Sequence, residues 1–232
     1  MDFISEGNYL MKINIAIDGP SASGKSTIAK RLAQQLKYVH IDTGAMYRCV
    51  AYLAIKSEID LTDEKSLGKM AETMDIRLSA DGKVFLNQRD VTEELRQEEI
   101  SVGASKVSIY ANVRKAMVKR QQSMAQAKGF IVDGRDIGTV VLPDAEVKIF
   151  QTASVESRAM RRFKENQNKG IESDFELLKS EIEQRDYQDT HRKESPLKKA
   201  DDAIEIDTSE MTVEQVVNQI ISYIAERNYS YD

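Results

Sequence analysis

The sequence has few of the features that mark secreted, membrane or nucleic-acid-binding proteins. Cys49 is the single cysteine among 232 residues, so no internal disulfide can form and no zinc-type cysteine spacing exists. The net charge of -5 argues against a broad nucleic-acid-binding face. The longest apolar stretch, CVAYLAI at 49–55, is far too short to span a bilayer. We therefore expect a cytoplasmic protein with no membrane and no nucleic-acid partner.

The beginning of the chain lacks the basic and then apolar order of a signal peptide. Its first ten residues, MDFISEGNYL, are acidic instead. Because Met11 is an alternative start, we expect residues 1–11 to be an extension or a tag outside the fold. The chain also lacks tandem repeats and low-complexity tracts.

Phosphate-binding chemistry, in contrast, is plainly present. DGPSASGKST at 18–27 follows a β-branched run, INIAI at 13–17, and leads into the helical pattern STIAKRLAQQL. Glycines let backbone N–H groups converge on phosphate oxygens at the positive end of a helix. Lys25 is expected to reach the β- and γ-phosphates of ATP, and Ser26 to hold a magnesium ion. The expected ATP-binding residues are Gly19, Pro20, Ser21, Ala22, Ser23, Gly24, Lys25, Ser26 and Thr27.

Short apolar runs separated by helical patterns indicate the fold class. They are INIAI, YVHI at 38–41, FIV at 130–132, VKIF at 147–150 and AIEI at 203–206. This order predicts an α/β protein with three layers, α/β/α, around a mainly parallel five-stranded sheet. The last helix is expected to start at a capping box of Thr212 and Gln215, and an earlier one at Ser173 and Glu176.

One region breaks the alternation of strands and helices. DIRLSADGKVFLN at 75–87 has two apolar runs joined by SADG, which predicts a hairpin. Charged helical segments flank it on both sides. We interpret residues 62–112 as a small inserted subdomain.

Charged side chains cluster at four further places. Asp133, Arg135 and Asp136 follow a predicted strand, where ligands of open α/β sheets bind. The other clusters are Asp42, Thr43, Tyr47 and Arg48; Arg158, Arg161 and Arg162; and Arg185, Asp189 and Arg192. Arginine suits phosphate oxygens held in fixed geometry, so the clusters suggest more phosphate than one triphosphate brings. Each alone could equally be a solvated helix face or a set of intrahelical ion pairs. The two histidines, His40 and His191, have no ligand spacing.

Three motifs together resemble those of the bacterial cytidylate kinases, which have the nucleoside monophosphate kinase fold. The motifs are IDGPSASGKST, IDTGAMYR at 41–48 and DGRDIGTVVLPDAEVKIF at 133–150, and the match covers about residues 12–225. The resemblance implies transfer of the γ-phosphate of ATP to CMP or dCMP with Mg²⁺. It also implies that the insert at 62–112 belongs to the monophosphate-binding region and that an arginine-bearing lid, 154–172, closes over the phosphates. The core would then comprise 12–61, 113–153 and 173–232, and relatives of this fold often act as monomers.

The resemblance also implies roles for individual residues. Thr43, Arg48, Arg135 and Arg192 would surround the monophosphate and its sugar; Ser105, Arg114 and Asp136 would face the cytosine; Arg185 and Asp189 would reach the ribose; and Tyr47 would also bind CMP. Arg158 and Arg162 would be lid arginines, completing a catalytic set with Lys25 and Arg192. An aspartate can accept from the N4 amino group of cytosine, and an arginine can donate to N3 or O2. Uracil instead has an acceptor at position 4, O4, and a donor at position 3, N3–H.

Two other classes of protein remain open from the residues alone. A P-loop kinase for a metabolite such as shikimate or gluconate would share the core and the lid but would not need the hairpin insert. A nucleotide-dependent switch is the second alternative. Its usual guanine-reading NKxD pattern is missing, the nearest match being NKGI at 168–171, and no aspartate is followed three residues later by glycine.

Overall fold

The computed structural model describes residues 12–79 and 81–226, so the expected extension at 1–11 lies outside the described residues. The strands are β1 (Ile15–Asp18), β2 (Val39–Asp42), β3 (Ile76–Leu78), β4 (Val84–Leu86), β5 (Arg89–Asp90), β6 (Phe130–Gly134), β7 (Val147–Thr152) and β8 (Ile204–Asp207). The helices are α1 (Lys25–Leu36), α2 (Thr43–Lys56), α3 (Glu64–Thr73), α4 (Glu98–Val107), α5 (Ala111–Ala125), α6 (Val155–Asn168), α7 (Phe175–His191) and α8 (Val213–Glu226). Within the described ranges, no helix is long and apolar enough to cross a membrane.

A five-stranded, fully parallel sheet forms the centre of the molecule, which confirms the predicted fold class. Its strand order is β2-β6-β1-β7-β8. All four residues of β1 are buried, as expected for a central strand covered on both faces. In the register, Asp18 lies beside Gly134 and Asp42 beside Asp133. The carboxyl ends of β1, β2 and β6 therefore meet at one edge of the sheet.

Two apolar clusters cover the faces of the sheet. On one face, Ile28 and Leu32 of α1 and Val217 and Ile220 of α8 pack against the strands. On the other face, the cluster holds buried residues of α2 and α5 and continues into the insert, where Leu67 belongs to it. In α8 the buried residues Val216, Val217, Ile220 and Ile224 recur at helical spacing, as expected for a helix packed on a sheet.

The start of α8 is capped as predicted, but the start of α7 is not. Thr212 Oγ1 accepts from the backbone N–H of Gln215 (3.2 Å), and Gln215 Oε1 accepts from that of Thr212 (2.8 Å). At α7, Asp174 is the capping residue and accepts from the N–H of Leu177 at 2.8 Å. The Ser173 prediction is therefore wrong by one residue. Both side chains are good caps, so the sequence could not decide between them.

The inserted segment contains the predicted hairpin. Strands β3 and β4 are antiparallel, with Ile76 opposite Leu86, and the two-residue β5 adds a third strand that the sequence did not signal. A 3-10 turn at Glu94–Arg96 leads to α4. The insert packs onto α2, which brings α4 to the same edge of the sheet as the phosphate loop.

The segment expected to be a lid is mainly helix α6. Ser154 caps it by accepting from the N–H of Ser157 at 3.1 Å. Helix α6 packs on α7, where the rings of Phe163 and Phe175 meet edge to face at 6.1 Å. The arginines of α6 and α7 thereby lie next to the carboxyl edge of the sheet.

Candidate active site

The phosphate loop runs from the end of β1 to the first turn of α1. Gly19 has φ +153°, and a Cβ there would lie 2.0 Å from the backbone oxygen of Gln151 on β7. Gly24 has φ +90° and precedes Lys25, the first residue of α1. Both conformations exclude other residues, which explains the spacing of the glycines in the motif. The helix N-terminus adds a positive end suited to phosphate.

Lys25 is the buried cation of this loop. Its Nζ donates to the backbone oxygen of Pro20 at 2.6 Å and to Ser23 Oγ at 3.3 Å. Burial, with a further contribution from the charge of Arg135, lowers the pKa of Lys25 to about 7. An anion bound beside Nζ would restore the charged form.

ATP binding at about pH 8 is expected to take up nearly one proton per site. At that pH the free protein, with the Lys25 pKa at about 7, holds this lysine mainly neutral, and phosphate oxygens favour its ammonium form. Below about pH 6 the group is already charged, so uptake by Lys25 should vanish. Calorimetry of ATP binding in two buffers with different ionisation enthalpies measures this number. A Lys25→Met variant that took up as many protons as the wild type would contradict the assignment.

Ser26 and Asp133 form a small oxygen-rich group beside Lys25. Ser26 Oγ donates to Asp133 Oδ2 at 2.7 Å, and His40 Nε2 lies 2.6 Å from Asp133 Oδ1. Burial raises the pKa of Asp133, but the hydrogen bond and charge of His40, the charge of Lys25 and the hydrogen bond from Ser26 together hold the pKa below its ordinary value. The carboxylate is therefore kept ionised and in one orientation. A role for His40 could not be predicted from the sequence, because a contact between strands so far apart along the chain leaves no local pattern.

A cavity of about 310 Å³ opens beside the loop and collects the residues expected to bind the monophosphate. Its lining includes Thr43, Tyr47, Arg48, Ser105, Arg114, Arg135, Asp136, Arg185, Asp189 and Arg192, together with Lys25 and Ser26. The ten expected CMP residues come from β6, α2, α4, α5 and α7 and from the segments after them. One cavity thus brings together five elements that are remote in sequence.

One part of this cavity is crowded with positive charge. Arg135 Nε donates to Asp189 Oδ2 at 2.7 Å, and Arg48 is paired with Asp42 at 2.8 Å. Burial, followed by the charge of Arg135, lowers the pKa of Arg185 to about 10. A dianionic ligand would relieve this repulsion.

Another part of the cavity is built around a buried ion pair. Arg114 Nη2 donates to Asp136 Oδ2 at 2.5 Å, and Arg192 approaches Asp136 Oδ1 at 3.8 Å. The guanidinium of Arg114 also lies 5.5 Å from the centre of the Tyr47 ring, and burial raises the pKa of Tyr47 to about 12. Among the residues described, Arg114 Nε is a buried donor without a hydrogen-bond partner. A ligand with an acceptor would suit this wall.

The three arginines of α6 have different surroundings. Arg158 is almost completely buried, is paired with Asp186 at 2.6 Å and donates from Nη1 to the backbone oxygen of Ser21 in the loop at 3.0 Å. It lines neither of two cavities beside the loop, the one of about 310 Å³ and one of about 860 Å³. Arg162 lines the second of these, of about 860 Å³, and its Nη2 donates to both carboxylate oxygens of Glu98 at 2.9 Å. Arg161 Nη1 donates to the backbone oxygen of Ser23 at 3.1 Å. Arg161 thus contacts the loop, a role that its position in the sequence did not predict.

Comparisons with known proteins agree on one family. The family model for cytidylate kinase matches residues 15–226. A cytidylate kinase from Enterococcus faecalis is 53% identical over 94% of this chain and 98% of its own, and one from Bacillus subtilis is 49% identical over 94% and 98%. An uncharacterised protein from Eubacterium ventriosum has a TM-score of 0.53 at 14% identity, over 94% of this chain and 100% of its own, which shows the shared fold alone. With a match that spans almost the whole chain, the protein belongs to the cytidylate kinase family.

Proposed function

We propose that the cleft binds ATP on the phosphate loop and CMP or dCMP in the 310 Å³ cavity, and that the γ-phosphate passes in line between them. The overall reaction follows from the family: ATP and CMP or dCMP give ADP and CDP or dCDP. The observation that carries the arrangement is that Lys25 of the loop and all ten expected CMP residues line one cavity.

The acceptor needs no general base. The second pKa of a phosphate monoester is near 6, so CMP is largely dianionic at about pH 7 and already nucleophilic. What the protein must supply is electrostatic: two highly charged groups are brought together, and the charge that spreads over the transferring group is stabilised. Lys25 and the arginines Arg135, Arg185 and Arg192 can do this from the cavity wall. Arg162 reaches the adjoining cavity and would act from the lid.

Magnesium fits the oxygen group of Ser26 and Asp133. Mg²⁺ prefers hard oxygen ligands and keeps several waters, so one or two protein oxygens with substrate phosphates suffice. Ser26 Oγ donates a hydrogen bond to Asp133 Oδ2 at 2.7 Å, which leaves the lone pairs of the hydroxyl for the ion. When bound, the ion neutralises charge on the β- and γ-phosphates. Across residues 12–79 and 81–226, no group of three or more His, Cys, Asp or Glu side chains forms a metal cage of its own.

Further parts of the proposal concern the setting of the enzyme. The enzyme would act as a cytoplasmic monomer with small molecules as its only substrates. The single, buried cysteine Cys49 suits a reducing compartment, and the net charge of -5 argues against a nucleic-acid partner. Closure of the lid over the phosphates would exclude water, which is needed because an open site would hydrolyse ATP.

The decisive test is ADP formation from ATP and Mg²⁺ with a panel of acceptors: CMP, dCMP, UMP, AMP, GMP, shikimate and gluconate. We expect rapid turnover with CMP and dCMP and little with the others. Turnover with a hydroxyl acceptor would overturn the monophosphate assignment and would require a general base. Slow hydrolysis that no acceptor accelerates would favour a nucleotide-dependent switch instead.

A further inference from the structure

Gln188 makes a two-point contact with Ser105, one of the residues expected to face the cytosine. Gln188 lies on α7 and Ser105 on α4, so the contact joins two elements that are far apart in sequence. Gln188 Nε2 donates to the backbone oxygen of Ser105 at 3.0 Å, and Ser105 Oγ donates to Gln188 Oε1 at 3.3 Å. Gln188 does not line the 310 Å³ cavity, whereas Ser105 does.

The chemistry of the two groups fixes which way the amide of Gln188 points. The backbone oxygen of Ser105 belongs to the last turn of α4 and can only accept hydrogen bonds. The NH₂ group of Gln188 must therefore face it, and the amide oxygen must face Ser105 Oγ. Because an amide oxygen is only an acceptor, the hydroxyl proton of Ser105 is directed toward Gln188.

This arrangement decides what Ser105 can offer to a ligand. With its single proton directed away, Ser105 Oγ presents only lone pairs to the cavity, where Asp136 also presents carboxylate oxygens. Where both acceptors reach the same ligand group, they suit an amino group, which has two protons, and repel a carbonyl oxygen. Cytosine has an amino group at position 4 and uracil has a carbonyl oxygen there.

We propose that Gln188 is a positioning residue for base selection, which holds the hydroxyl of Ser105 as an acceptor and so favours cytosine over uracil. The inference rests on the proposed binding of CMP in this cavity with its base near Ser105 and Asp136. Gln188 itself touches no substrate. It acts by keeping the hydroxyl proton of Ser105 from donating to a ligand, and it thereby contributes to specificity and not to the chemical step.

The test measures kcat/KM for CMP and for UMP in Gln188→Leu and Gln188→Lys. Leucine removes both hydrogen bonds, and lysine can donate but cannot accept the hydroxyl proton, so in both variants the proton of Ser105 can turn toward O4 of uracil. We expect the CMP to UMP ratio to fall about fivefold to tenfold, the size of one neutral hydrogen bond. Gln184→Leu is the matched control, because Gln184 is an exposed residue one turn earlier on α7; its ratio should not change.

A purely structural role for Gln188 predicts a different result. If the contact only ties α4 to α7, kcat/KM falls equally for CMP and UMP and the ratio stays at the wild-type value, which overturns the proposal. Ser105→Ala separates this failure from failure of the proposed site. If Ser105→Ala lowers the ratio and Gln188→Leu does not, the base binds at Ser105 and the role of Gln188 is refuted. If Ser105→Ala leaves the ratio unchanged, Ser105 does not read the base, and both the base site at Ser105 and the role of Gln188 are refuted. If each single variant lowers the ratio, Gln188→Leu should have no further effect on it in the Ser105→Ala background.

Discussion

Replacing Lys25 with methionine is expected to lower kcat about a thousandfold, or about 4 kcal/mol in transition-state stabilisation. Lys25 is the buried cation at the start of α1, and its Nζ is already held by the backbone oxygen of Pro20 at 2.6 Å. Negative charge on the transferring group grows in the transition state, where a preorganised cation acts most strongly. The KM for CMP should change little, because the arginines of the monophosphate cavity remain.

Stability measurements separate this effect from loss of the fold. Since burial lowers the pKa of Lys25 to about 7, the folded protein disfavours its charge, and below the unfolded-state pKa methionine should leave the free energy of unfolding unchanged or raise it. Lys30→Met is the matched control, because Lys30 is exposed on the same helix, and its kcat should stay within about twofold of wild type. A Lys25→Met enzyme with kcat within about tenfold of wild type would show that Lys25 does not stabilise the transition state.

The sheet and the loop could be predicted because their signals are local. A β-branched run before the glycine motif and a helical pattern after it placed β1 and α1 within two residues of their observed bounds. The hairpin was also predictable, since two apolar runs flank a turn sequence. The two-residue β5 was not, because Arg89 and Asp90 are exposed and carry no apolar pattern.

Side-chain partners across the site were harder to predict than its composition. Arginines spaced three and four residues apart on α6 lie on similar sides of the helix. The sequence therefore could not show that Arg158 pairs with Asp186 and contacts the loop at Ser21, while Arg161 contacts it at Ser23. The pairing of His40 with Asp133 depends on β2 and β6 being neighbours in the sheet. Such contacts follow from the strand order, which one sequence does not specify. The roles carried over from the resemblance remain predictions that variants must test.

Replacing Asp136 with asparagine is expected to lower the CMP to UMP ratio of kcat/KM at least about a hundredfold. The carboxylate of Asp136 is buried and bonded to Arg114 at 2.5 Å. As an acceptor it suits the N4 amino group of cytosine, whereas the amide of asparagine can also present NH₂ to O4 of uracil. The kcat/KM for CMP should fall about a thousandfold, because Arg114 also loses its charged partner in a buried site.

Loss of that partner should destabilise the fold too, by about 3–5 kcal/mol, and this makes the ratio the informative quantity. Both substrates meet the same population of folded enzyme, so a smaller folded fraction lowers both rates equally and cancels in the ratio. Asp144→Asn, the same change at an exposed aspartate, should leave the ratio and the stability at wild-type values. If Asp136→Asn lost stability but kept the wild-type ratio, Asp136 would be a structural partner of Arg114 and the reading of cytosine would have to be assigned to other residues of the cavity.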